Sequence, residues 1–327
     1  MKNTLFTGST CLLLAIGTLK PAPAAITTQT PSVIAQLTND SLQPTATVEA
    51  EVELLDSGAE PRQELRFQPQ VNLKQTSIMT MKMNMAMSLA NNPMSGVNLP
   101  TMVMTMETIV TKIDANGDIH YQSSCTDADV VVDDNVPPEV SKAMQEQIKQ
   151  IIGLGGSFVA DNRGRTKQGN FVVPEGIDEN IKPMLKQMSN SLEQFSYPLP
   201  EAAVGIGAKW RVSNLLNLNS MNLNQTAHYE LVSFEDDVAI LEVSMQQQAE
   251  PQELNPPGMP SGTILTLTSH DAQGQGNVKM PLNQIMPLSS SFSMISNTQM
   301  QFKQAGSNQE TVMGSKLSVE MTLESAI

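Results

Sequence analysis

Residues 77–88 read SIMTMKMNMAMS, and methionine occupies every second position from Met79 to Met87. Side chains alternate between the two faces of a β-strand, so this spacing predicts a strand with one face made of methionine. More alternating methionines follow the turn-forming residues 91–96, which read NNPMSG. The sequence therefore predicts a long hairpin with thioethers on one face, from Met79, Met81, Met83, Met85, Met87, Met102, Met104 and Met106.

Further strands are predicted on both sides of this hairpin. A second hairpin turn is expected at residues 114–118, DANGD, because its Asn-Gly step suits positive φ angles, and a third strand follows from 118 to 132. Upstream, strands are predicted at 48–55 and 64–67. Downstream, strands are predicted at 157–160, 169–173, 229–234, 238–245, 264–268, 292–302 and 317–323.

Two helices are predicted between the strands. The first covers about 138–152, where Pro138 suits the opening turn and Val140, Met144, Ile148 and Ile151 recur at helical spacing. The second covers about 178–195, with Asp178 as its N-cap. Its apolar stripe is formed by Ile181, Met184, Leu185, Met188, Leu192 and Phe195.

These elements predict a mainly β protein of the α+β class, built as a curved antiparallel sheet or half-barrel with two helices packed on one side. Residues 45–327 form one β-rich domain in this interpretation. Residues 26–44 are rich in Thr, Gln, Pro and Ser without periodicity, which predicts a disordered linker.

Residues 1–25 have the features of a signal peptide. Lys2 precedes an apolar run at 11–19, and small residues follow at 22–25. The run is shorter than the roughly 20 residues that a spanning helix needs, so no transmembrane segment is expected in the mature chain. Cys11 precedes the leucines of the run instead of following it, which argues against a lipoprotein. The chain is therefore predicted to be exported, to the periplasm or the extracellular space.

Charge and cysteine content exclude several classes of protein. The formal net charge is −14 at pH 7, and nucleic acid is an unsuitable partner because its binding needs clustered basic residues. Removal of the leader leaves Cys125 as the only cysteine, so an internal disulfide is impossible. Burial as a small apolar side chain is the expectation for Cys125.

Catalytic motifs are scarce. His120, His228 and His270 are the only histidines, and no Gly-x-Ser-x-Gly or His-Glu-x-x-His motif occurs. Asp114, Asn116 and Asp118 resemble the start of a calcium loop, but its twelfth position is Cys125 instead of glutamate. The sequence predicts neither an enzyme nor a bound cofactor or metal.

Several segments resemble an uncharacterised family of exported bacterial proteins. They are residues 54–67, LLDSGAEPRQELRF, the methionine strands, residues 156–158, GSF, residues 198–200, PLP, and residues 204–210, VGIGAKW. The resemblance spans about residue 48 to the C-terminus and implies no activity or catalytic residue. More distantly, a half-open sheet covered by helices is similar to lipoprotein carriers of the LolA and LolB type, which hold acyl chains against a concave face.

Three interpretations of the methionine face stay open. It packs into the core beneath the helices, or it lines a cavity for a hydrophobic small molecule or lipid, since unbranched thioether side chains adapt to varied shapes. In the third, the soft sulfur atoms bind Cu(I). The expected function is a non-catalytic envelope protein that binds an apolar ligand on this face. The alternatives are a periplasmic Cu(I)-binding protein and a structural or protein-interaction module without a small ligand.

Overall fold

A computed structural model describes residues 51–90, 92–94, 96–132, 136–172, 198–218, 221–255, 263–303 and 310–326. Within them the strands are β1 (Glu51–Asp56), β2 (Lys74–Leu89), β3 (Asn92–Pro93), β4 (Val97–Asn98), β5 (Thr101–Ile113), β6 (Ile119–Val131), β7 (Gly155–Ala160), β8 (Thr166–Val172), β9 (Lys209–Leu218), β10 (Met221–Glu235), β11 (Val238–Ala249), β12 (Gln252–Leu254), β13 (Ile264–Pro281), β14 (Ser289–Lys303) and β15 (Glu310–Ala326). Helix α1 spans Pro138–Ile148, and a 3-10 turn follows at Lys149–Ile151.

All these strands belong to one sheet, whose main path runs β1-β9-β10-β11-β13-β14-β15-β2-β5-β6-β7-β8. Each neighbouring pair on this path is antiparallel. β1 and β8 are the two outermost strands of the described path, so the sheet is open. The prediction of a mainly β, antiparallel fold is confirmed.

The two faces of the sheet differ sharply in burial. On β10, for example, Leu223, Ala227 and Tyr229 are buried and alternate with more exposed residues. We call the face that carries the buried side chains the inner face and the opposite one the outer face. The inner face contributes to three hydrophobic clusters, so the alternation of burial reflects which side of each strand packs.

The clusters lie at different places along the sheet. The basal cluster is centred on β9, β10, β11 and β13 and includes Trp210, Tyr229, Leu231, Leu241 and Met280. The helix cluster joins α1 to β2, β5 and β6 and contains Met83, Leu99, Met102, Cys125, Ala128, Val130, Met144 and Ile148. The far cluster contains Leu216, Met221, Leu223, Leu254, Leu267 and Met300.

The strand predicted at 64–67 is wrong. This segment forms no strand, and the isolated bridge nearby joins Val204 to Gln63, the residue before the segment. Leu65 and Phe67 are nevertheless buried in the basal cluster, and the Phe67 N–H donates to the Asn162 carbonyl at 2.7 Å. An extended segment that buries alternate side chains beside a sheet has the same sequence pattern as a strand within it.

The predictions of one turn and one helix are confirmed. The turn at 114–118 is confirmed, since the Asp114 N–H donates to the Asp118 carbonyl at 2.9 Å and Gly117 has a φ of 85°. The first helix is confirmed with Pro138 in its first turn, and its last predicted turn is the 3-10 segment. The second helix, the leader and the linker lie outside the described residues. No described helix is long and apolar enough to cross a membrane.

β13 is much longer than predicted. Its inner face carries the small residues Ala272, Gly274 and Gly276, at positions where large apolar residues would have indicated a strand. The Phe292 ring of β14 fills the space beside these glycines, because a Cβ atom built on Gly274 would lie 2.4 Å from it. The small residues of β13 therefore accommodate a large neighbour, and the hydrophobic alternation is lost from the sequence.

Candidate functional site

The predicted methionine hairpin forms, with the methionines of β2 and β5 on one face. β2 pairs with β5 so that Met79 lies opposite Met104 and Met81 lies opposite Met102. On its other side, Met81 lies opposite Met321 of β15. Directly opposed side chains of one face have Cβ atoms about 4.5–5.5 Å apart, so Met102, Met81 and Met321 form a row across three strands.

Methionine is confined to one face throughout the described strands. By strand register, each of the following lies on the inner face: Met79, Met81, Met83, Met85, Met87, Met102, Met104, Met106, Met221, Met245, Met280, Met294, Met300, Met313 and Met321. The thioether surface is therefore larger than the hairpin and extends over most of the sheet.

Charged side chains of the long strands lie on the face opposite to the methionines. In β2, β5, β9, β10, β11, β13, β14 and β15, the register places every Asp, Glu, Lys and Arg on the outer face. Lys82 and Glu320, for example, oppose each other there, between the inner-face methionines. The inner face of these strands therefore carries only apolar side chains and uncharged polar ones.

Part of the methionine face is packed core. Met83 is 4% exposed and Met102 is 3% exposed, and both contact the helix cluster, to which α1 contributes Met144 and Ile148. Met81 and Met104 pack against the same cluster and are only partly buried. Cys125 is buried there too, as expected, and its burial raises the thiol pKa.

The middle of the sheet is different. A set of inner-face residues on β2, β14 and β15 is partly exposed and belongs to none of the three clusters. We call this set the open strip, and it comprises Met79, Met85, Met87, Ser290, Phe292, Met294, Met313, Ser315, Met321 and Leu323. Seven of the eight predicted residues are thus divided between the helix cluster and the open strip, and Met106, partly exposed on β5, belongs to neither.

A group of neutral polar residues lies beside the open strip, also on the inner face. We call Gln225, Gln247, His270, Ser296 and Thr298 the polar patch. The Gln247 amide donates to the Gln225 carbonyl oxygen at 2.6 Å, and His270 Nδ1 is 2.9 Å from Thr298 Oγ1. Burial lowers the pKa of His270 and outweighs the opposite influence of Asp271, which lies on the outer face.

One buried atom of the polar patch has no hydrogen-bond partner in the part of the chain that the structure describes. This atom is His270 Nε2. Gln75, at the base of the inner face, shows the contrast. Its amide donates to Gln284 Oε1 at 2.7 Å and its carbonyl oxygen accepts from the backbone N–H groups of Ile285 and Met286.

A depression of about 770 Å³ crosses β9, β10, β11, β13, β14 and β15. Its lining alternates exposed residues such as His228, Ser244 and Gln275 with buried Tyr229 and Val243, so it opens on the outer face. None of the eight predicted methionines lines it. Only Met321 of the open strip's methionines does.

The acidic residues of the 114–118 turn are occupied by local contacts. Asp114 lies 2.5 Å from Lys112 Nζ and 2.7 Å from His120 Nε2, and hydrogen bonds from Lys112 and then His120 lower its pKa. Asp118 is paired with Lys167 at 2.6 Å. No group of three or more His, Cys, Asp or Glu side chains in the described ranges could hold a metal ion.

Part of the chain matches a known protein family. Residues 185–284 match the model of a family of unknown function, DUF6263. The matched range includes β9–β13 and excludes the methionine hairpin, so the expected resemblance to an uncharacterised family is supported for this part of the chain. No curated protein matches.

Two solved structures are similar to the chain at a low level. The outer membrane protease OmpT of Escherichia coli is 8% identical, with a TM-score of 0.20 over 81% of this chain and 99% of that one. A loop L8 deletion mutant of OmpT, an outer membrane protein of Vibrio cholerae, is 7% identical, with a TM-score of 0.17 over 77% and 99%.

Proposed function

We propose that the protein is a non-catalytic, exported binding protein of the cell envelope that holds an apolar ligand against the open strip. The observation that carries the proposal is the difference in packing along one methionine face. Met83 and Met102 are buried under α1, whereas Met85, Met87 and Met294 are partly exposed and lie outside every cluster.

The chemistry of the open strip supports an apolar occupant. Its side chains are mostly thioethers with a few aromatic, aliphatic and hydroxyl groups, and the register leaves it without a charged side chain. Unbranched methionine side chains can change rotamer to fit ligands of different shape. An apolar molecule laid on this strip would remove its exposed apolar area from water, which is the main driving force for such binding.

The envelope location is part of the proposal and rests on the leader-like residues 1–25. Carriers of the LolA and LolB type hold acyl chains against a concave sheet face, and the proposal extends that mode of binding by analogy only.

A Cu(I) site is the second candidate, and the row formed by Met102, Met81 and Met321 favours it, because thioethers suit a soft ion.

The apolar site can be tested with the fluorescent probe 1,6-diphenyl-1,3,5-hexatriene. We expect the wild-type chain to enhance its fluorescence, and Met85→Asp to weaken the probe's affinity by about tenfold or more, because a carboxylate in an apolar site is costly. Ala86→Asp is the matched control, since Ala86 is the next residue on β2 and lies exposed on the outer face.

Ala86→Asp should leave the probe's affinity unchanged, and circular dichroism should show that both variants are folded. If the wild-type chain does not bind the probe, or if both aspartate variants bind it as well as wild type, the apolar-ligand proposal is wrong. A structural or interaction protein would then be the better description.

A further inference from the structure

The polar patch is continuous with the open strip. Thr298 lies opposite His270 on one side and opposite Ser315 on the other, and Ser315 lies opposite Met87 of β2. A molecule whose chain lies on the methionines would therefore meet a group of neutral hydrogen-bonding side chains at the same level of the sheet. The two surfaces together have the character of a site for an amphiphile.

His270 supplies a hydrogen-bonding atom that the described chain does not use. A neutral imidazole has one donor nitrogen and one acceptor nitrogen. Nδ1 is engaged by Thr298 at 2.9 Å, and Nε2 is buried without a partner. Buried polar atoms without partners are costly and rare, so a ligand atom at Nε2 would stabilise the arrangement.

Gln75 shows that the inner face tolerates polar side chains without any ligand. Its amide and carbonyl groups are both paired within the chain, by Gln284 and by the backbone of residues 285–286. Gln75 is therefore explained by the fold alone. His270 is not, and this difference separates a structural polar group from one available for recognition.

The distribution of charge restricts the ligand further. A carboxylate or phosphate buried beside His270 would need a cation, but the long strands place all their Lys and Arg side chains on the outer face. An ammonium group would likewise lack an inner-face carboxylate. A buried ion without a partner is strongly disfavoured, whereas an uncharged hydroxyl or amide is not.

We infer that the ligand of the open strip is a neutral amphiphile whose uncharged hydroxyl or amide end hydrogen-bonds to His270 Nε2 while its chain lies along the methionines. This inference rests on the proposed function and adds the class of ligand. His270 determines specificity for the polar end, and the methionine strip supplies affinity for the chain.

The test uses the full chain loaded with diphenylhexatriene at pH 8 and three competitors of equal chain length: decane, decan-1-ol and decanoate. Decan-1-ol should displace the probe at roughly three- to tenfold lower concentration than decane, the range expected for one net hydrogen bond. Decanoate should need about tenfold more than decan-1-ol, because its charge finds no cation on the inner face.

Two variants of His270 sharpen the result. His270→Asn keeps a group that reaches Thr298 and removes the atom at Nε2, so decan-1-ol should lose its advantage while decane displaces the probe as before. His270→Gln extends an amide toward the Nε2 position and should retain part of the advantage. His228→Asn, on the exposed outer face, is the matched control and should behave as wild type.

The possible outcomes distinguish a failure of the neutral-amphiphile inference from a failure of the proposed function. If the probe binds but decane and decan-1-ol compete equally, or decanoate competes best, the neutral-amphiphile inference is overturned and the apolar site stands. If His270→Asn keeps the full advantage of decan-1-ol, His270 is not the recognising residue and the inference fails. If the probe does not bind the wild-type chain, the proposed function itself fails.

Discussion

Met83 and Met85 lie on the same strand and face the same side, yet their surroundings differ. Met83 is 4% exposed and packed in the helix cluster, and Met85 is partly exposed outside every cluster. The residue type and the periodicity are identical at the two positions, so neither of them determines which methionine becomes core. The position of α1 over one part of the sheet does.

The largest expected effect is on the free energy of unfolding, and it is measured by replacing each of these two methionines with alanine. Met83→Ala should lower the free energy of unfolding by roughly 2–5 kcal/mol, because it removes buried atoms and leaves a cavity. Met85→Ala should cost much less, since part of its side chain already contacts solvent. Urea denaturation of both variants measures the difference, and equal losses would contradict the division of the face into packed and open regions.

An intermediate effect concerns the pH dependence of stability, because the polar patch contains His270, whose imidazole is partly buried. Burial lowers the pKa of His270, so the unfolded chain binds a proton at a higher pH than the folded one. The stability associated with neutral His270 is therefore fully present above the ordinary histidine pKa of about 6.5 and is lost as pH falls through the lowered folded value.

Urea denaturation between pH 8 and pH 5 measures this loss for the wild type and for His270→Gln, which cannot titrate. The variant should lose less stability than wild type as the pH falls. Parallel curves for the two proteins would show that His270 titrates alike in the folded and unfolded chains, contrary to its burial. His228→Gln, on the outer face, is the control for the substitution itself.

The smallest effect on stability is expected from replacing thioethers by leucine. Met81→Leu, Met102→Leu and Met321→Leu keep side-chain volume, so each should cost less than about 1.5 kcal/mol and leave binding of diphenylhexatriene intact. The same variants remove the sulfur atoms required by a Cu(I) site. Titration with Cu(I) and a competing chelator distinguishes the candidates, since copper binding that disappears in the triple variant would favour the metal interpretation.

The sequence predicts the β2–β5 hairpin well because alternating methionines and a turn-forming segment determine it locally. It does not predict β13 as a long strand, since Gly274 and Gly276 give no hydrophobic signal and their reason is Phe292 on the next strand. The prediction of a strand at 64–67 is wrong for the opposite reason. Its alternation is real, but Leu65 and Phe67 pack beside the sheet and not within it.

The candidate site is predictable only in part, for a similar reason. The methionine face follows from strand periodicity, whereas the pairing of His270 with Thr298 depends on the register between β13 and β14. A bulge between Leu267 and Ser269 shifts that register along β13. No feature near His270 in the sequence indicates where its partner lies, so the polar patch becomes visible only when the strands are assembled.

The pairing of β15 with β2 has a consequence for folding. β9, β10 and β11 are joined by short connections, and so are β5 and β6, but Met81 meets Met321 only after almost the whole chain has been synthesised. Contacts so distant in sequence form slowly, and an unpaired strand rich in apolar residues can pair with other chains. During synthesis, β2 is therefore an aggregation-prone edge, and Lys82 on its outer face is the kind of charge that limits such association.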